Sequence, residues 1–109
     1  MARVNFRGID LHEDLEFGLN QVIALDLEGA EGMKFHLYSD IFLHIEWENV
    51  EGAVFREYIK EFDTKALCNE FMAALRTLSG LPTKVVCEYE SAQRVNEMVA
   101  GVVDRVVDG

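Results

Sequence analysis

The stretch Met33–Phe62, MKFHLYSDIFLHIEWENVEGAVFREYIKEF, decides the fold. Apolar and polar residues alternate through Met33–Tyr38 and again through Ile41–Glu48, and a side-chain period of two marks a half-buried strand. Ser39-Asp40 between these runs predicts a tight hairpin, and Asn49-Val50-Glu51-Gly52 predicts the next turn. Ala53–Phe62 then reads as a third strand. Phe55, Tyr58, Ile59 and Phe62 alternate there with Arg56, Glu57, Lys60 and Glu61, so both faces are partly apolar. Such a strand suits the middle of a sheet or an oligomer contact.

Upstream, Val4 and Phe6 alternate with Arg3, Asn5 and Arg7, which predicts a short opening strand over 3–9. The segment Leu15–Glu28 supports two readings. As a strand, six of its seven odd positions from Leu15 to Leu27 are apolar. As a helix it would start at an Asp10 cap with Glu13 as capping-box partner, carry the stripe Leu11, Leu15, Leu19 and Val22, and hold Gly18 in its interior. A mid-helix glycine costs about 1 kcal/mol relative to alanine, which favours the strand.

Downstream the period changes. Asp63 or Thr64 caps a helix with the stripe Leu67, Phe71, Ala74, Leu75 and Leu78, and Ser79-Gly80-Leu81-Pro82 stops it. Thr83–Tyr89 reads as a Val-rich strand. Ser91 caps a last helix with Val95, Met98, Val99, Val102, Val103 and Val106 facing inward. The expectation is therefore one α+β domain over 1–109. It has a mostly antiparallel sheet of five to six strands, begun by an N-terminal meander, and two C-terminal helices packed on one face.

The net charge is −10, and its placement is informative. Eleven acids and one base, Lys34, lie between Asp10 and Glu51, whereas nine acids meet nine bases elsewhere. An acidic surface is the wrong sign for nucleic acid or an anionic membrane, and the right sign for steering onto a basic protein. No apolar run reaches the roughly 20 residues of a membrane span. The start, Met1 to Arg7, has no apolar stretch of a secretory signal, so a cytoplasmic location is expected. Cys68 and Cys87 form no metal or redox motif and read as buried, reduced thiols.

Signals for chemistry are sparse. Gly29 and Gly32 precede a strand instead of a helix, which is not a phosphate-binding context, and no nucleophile has a base beside it. No catalytic residue and no cofactor are assigned. His44, Glu46 and Glu48 share one face of their strand. They could be metal ligands with His36 as a fourth group, or simply the solvated side opposite Ile41, Leu43, Ile45 and Trp47. A two-residue turn at Ser39-Asp40 would pair His36 with Leu43 and put it on the wrong face, so a metal site requires a different turn. Trp47 continues the inward row and reads as core.

The first half resembles small immunity proteins that neutralise polymorphic bacterial toxins. The likeness rests on Ile9-Asp10-Leu11 with acids behind it, on Phe17, and on Gln21-Val22-Ile23-Ala24-Leu25 taken as a strand. The turn Glu28-Gly29-Ala30-Glu31-Gly32 leading into Lys34-Phe35-His36-Leu37 completes it, and the match ends at Ile41. The resemblance implies a non-enzymatic inhibitor that holds its toxin through an acidic surface. The leading expectation is thus a binding module for a basic protein, with Asp40, His44, Glu46, Glu48 and Glu51 as contact residues. The second is a self-associating accessory protein, of the kind carried on mobile genetic elements, forming a homodimer or larger species. The third is an enzyme or metal site on the His44 face.

Overall fold

The change of period at Asp63 marks the point where the strand meander gives way to a helix in the computed structural model, which describes residues 2–88. The elements are β1 (Arg3–Phe6), β2 (Ile9–His12), a 3-10 turn (Glu13–Leu15), α1 (Glu16–Ile23), β3 (Gly32–Ser39), β4 (Phe42–Glu48), β5 (Val54–Glu61), α2 (Lys65–Ser79) and β6 (Thr83–Cys87). β1 and β2 form a two-stranded sheet of their own. The other strands form a four-stranded sheet in the order β5-β4-β3-β6. The meander β3-β4-β5 is antiparallel, and β6 lies parallel to β3 on its far side.

The α+β class and the mostly antiparallel pairing agree with the pattern of residues; the arrangement differs in four places. The expected sheet of five to six strands is a four-stranded sheet plus a separate hairpin, because the opening strand over 3–9 turns at Arg7-Gly8. Both turn residues have positive φ, 51° and 91°, the backbone that closes a two-residue hairpin with the right twist. The two described helices flank the meander instead of following it. The helix expected from Ser91 and the end of the strand expected at Thr83–Tyr89 lie outside the described residues.

Second, Leu15–Glu28 is helical through Ile23 instead of extended. Leu15, Leu19 and Val22 are buried at helical spacing, whereas Phe17 and Ile23, which a strand would have turned inward, are exposed. Asp10 does not cap it: the His12 imidazole accepts the Asp14 N–H and caps the 3-10 turn that leads into α1, and α1 itself has no side-chain cap. Gly18 is there for contact: a Cβ at this position would lie 3.0 Å from the Phe71 ring and 3.3 Å from Lys60 Cε. Close approach of α1 to α2 and β5 offsets the propensity cost of the glycine.

Third, the strand 53–62 is an edge of the sheet, not its centre. Fourth, the β3–β4 turn is Asp40-Ile41, one residue later than Ser39-Asp40, with a bulge at Tyr38. The consequences of that shift fall on the site.

α2 forms as its sequence predicts. Thr64 Oγ1 accepts the Leu67 N–H at 3.1 Å, and Gly80 in the left-handed region closes the helix. Its buried stripe of Cys68, Phe71, Ala74 and Leu75 joins Leu15, Leu19 and Val22 over the inward row Phe35, Leu43, Ile45 and Trp47. Each large side chain so buried contributes about 1.5–3 kcal/mol. Trp47 is fully buried, as expected for core. Cys68 is buried and Cys87 partly so, both free, and burial pushes the Cys68 thiol up to about 11. No helix among the described residues is long and apolar enough to cross a membrane.

Candidate functional site

Pleating sends alternate residues of β3, β4 and β5 to opposite faces of the sheet. α1 and α2 occupy one face: Tyr58 stacks on Phe71 and donates its hydroxyl to Gln21 Oε1 at 2.7 Å. On the other face no helix packs among the described residues. There the register brings together Lys34 and His36 from β3, His44, Glu46 and Glu48 from β4, and Glu57, Ile59 and Glu61 from β5.

The bulge at Tyr38 makes this assembly. It sets His36 directly opposite His44, where a regular hairpin at Ser39-Asp40 would have opposed it to Leu43. The two imidazoles lie 5.4 Å apart. His36 Nε2 is 2.7 Å from Glu46 Oε1, and its Nδ1 is 2.8 Å from Oε2 of Glu88, just past β6. A carboxylate at each ring nitrogen suits the doubly protonated ring, in which both N–H groups donate. Burial opposes that charge, but the hydrogen bonds and charges of Glu88 and Glu46 outweigh it and raise the His36 pKa above the ordinary 6.5.

His44 is held in the same manner one strand over. Its Nε2 is 2.8 Å from Glu57 Oε1, and its Nδ1 is 3.2 Å from the Tyr38 hydroxyl. That hydroxyl donates or accepts according to which ring nitrogen carries the proton. Lys34 approaches Glu48 at 3.8 Å, a long, half-buried pair of small energetic weight.

Charge sorts by face along β5. Arg56 and Lys60 pair with the inward residues Trp47 and Leu43, while Glu57 and Glu61 pair with the outward residues Glu46 and Phe42. The open face therefore carries Glu46, Glu48, Glu57, Glu61 and Glu88 against Lys34 and Lys84. Exposed apolar groups, Phe42, Tyr38, Val54 and Ile59, stand among them.

Of the five residues picked from sequence, His44, Glu46 and Glu48 meet on this face. Asp40 and Glu51 lie in the turns at opposite ends of β4 and do not join them. The acid-rich window Asp10–Glu51 is not one surface. Asp10, Glu13, Asp14 and Glu16 belong to β2, the 3-10 turn and the start of α1, and Asp26, Glu28 and Glu31 lie in the connection to β3. Glu57 and Glu88, which sequence reasoning passed over, complete the cluster. The alternation of Glu57 with Tyr58 carried half of the signal; Glu88 depends on the parallel β3–β6 pairing, which no local pattern announces.

Compared with protein-family models, curated proteins and solved structures, the chain matches none of them.

Proposed function

We propose that this domain is a non-enzymatic binding module that captures a basic protein on the open face of its four-stranded sheet. The observation that carries the reading is the sorting of charge along β5, with cations on the helix side and acids on the open side. Carboxylates interleaved with exposed Phe42, Tyr38, Val54 and Ile59 combine charge steering with apolar contact area, the two components a protein interface uses. An immunity- or inhibitor-type role, in which the domain neutralises a cationic enzyme by occupying it, is the form that the sequence resemblance favours.

Self-association through the β5 edge fits less well. Two-fold antiparallel pairing keeps the faces of both sheets aligned, so only residues of like facing can oppose each other. A register centred on Tyr58 sets Arg56 against Lys60 of the copy, and one centred on Ile59 sets Glu57 against Glu61. Registers centred on Glu57 or Lys60 oppose each of those charges to itself. Like charges directly across a ladder are destabilising.

The test is affinity capture from the native host with three baits: the wild type, Glu48→Lys/Glu57→Lys/Glu61→Lys on the open face, and Asp26→Lys/Glu28→Lys/Glu31→Lys in the α1–β3 connection. Both variants change net charge equally. Retention of a basic protein by the wild type and the connection variant, with loss by the folded open-face variant and at raised salt, is expected. Equal retention by all three would overturn the assignment.

A further inference from the structure

We propose that His44, Glu46 and Glu57 form a binding site for a divalent first-row transition ion, with Zn2+ as the best-suited occupant. One donor atom from each of the three residues lies within 4.8 Å of the others. An ion with bonds of about 2.0–2.2 Å needs donors within about 4 Å of one another. Glu57, whose side chain is 55% exposed, has the freedom to close that gap.

Two further observations point to a cation here. Glu46 and Glu57 are directly paired across β4 and β5, so two carboxylates oppose each other in mid-strand. Such a pair is repulsive, and its ion-pair partners among the described residues are imidazoles, not lysine or arginine. The imidazole beside them is also oriented for ligation. His44 Nε2 donates to Glu57 Oε1 at 2.8 Å, so an ion would take the place of that proton, and Nδ1–H would then donate to the Tyr38 hydroxyl 3.2 Å away, the outer-shell arrangement that fixes the tautomer of ligating histidines. His36 holds one oxygen of Glu46 and steadies that carboxylate.

The donor set decides the class of ion. One imidazole with two carboxylates suits Zn2+ and its first-row neighbours, whereas Mg2+ takes oxygen ligands and retains its water. Three protein ligands leave a position open for water or for a donor on a partner. The site shares the open face with the capture surface but does not rest on that reading, since ion binding is measured without any partner.

The experiment is calorimetric titration of the untagged chain with Zn2+ and with Mg2+, repeated on His44→Ala, Glu57→Gln and Tyr38→Phe, with circular dichroism to confirm folding. The expected result is one Zn2+ per chain at micromolar concentration and no Mg2+ binding. His44→Ala and Glu57→Gln should each weaken Zn2+ by at least about tenfold, and Tyr38→Phe, acting through the imidazole, by roughly tenfold. Absence of saturable Zn2+ binding, affinity unchanged in both ligand variants, or Mg2+ bound as tightly as Zn2+ would overturn the proposal.

Discussion

The two faces of the four-stranded sheet are built from the same strands, yet they obey different physics. On the covered face Phe35, Leu43, Ile45 and Trp47 are fully buried beneath α1 and α2, and their contribution is transfer from water and close packing. On the open face, alternate residues of the same strands form a lattice of imidazoles and carboxylates at hydrogen-bond distance. Such partly exposed pairs add little to stability. The covered face holds the chain together, and the open face, on which no helix packs among the described residues, is the one proposed for recognition.

Truncation separates the faces most sharply. Trp47→Ala should cost about 3–5 kcal/mol, enough to unfold much of a marginal domain, whereas His44→Ala one pleat away should stay within roughly 1 kcal/mol. Urea unfolding measures both, and similar losses would break the distinction. Next in size is Gly18→Leu. The new side chain would enter the space held by Phe71 and Lys60, and overpacking should cost about 1–3 kcal/mol; a neutral result would contradict the close approach of α1.

These two positions also show what the sequence revealed and what it withheld. Trp47 was legible as core because strict alternation through Leu43, Ile45 and Trp47 has one meaning. Gly18 misled. Leu15 and Leu19 satisfy a period of two and a helical stripe alike, and the glycine whose propensity weighs against a helix is required by a neighbour remote in sequence. α2 was fully legible, since cap, stripe and stop are all local to Thr64–Gly80. On the site, β4 gave His44, Glu46 and Glu48 directly. His36 was lost to the bulge at Tyr38, which shifts the phase of β3 by one residue, and Glu88 to a parallel pairing that depends on the whole topology.

The smallest effect is a dependence on pH confined to the open face. The folded state raises the His36 pKa, so it binds that proton more tightly than the unfolded chain does. The resulting stability is fully present below the unfolded value near 6.5 and is lost as pH rises through the higher folded value. Thermal melts of the wild type against His36→Gln should show the difference shrinking over that interval. A constant difference would remove His36 from the account.

The central claim is that the open face, and not the total acidity, is what binds. Its most direct test is an NMR titration of the isotope-labelled chain with a polyarginine peptide. The account predicts shifts at His36, His44, Glu46 and Ile59 that vanish in the Glu48→Lys/Glu57→Lys/Glu61→Lys variant. Shifts centred instead on Asp10, Glu13, Asp14 and Glu16, or spread evenly over every exposed acid, would contradict it.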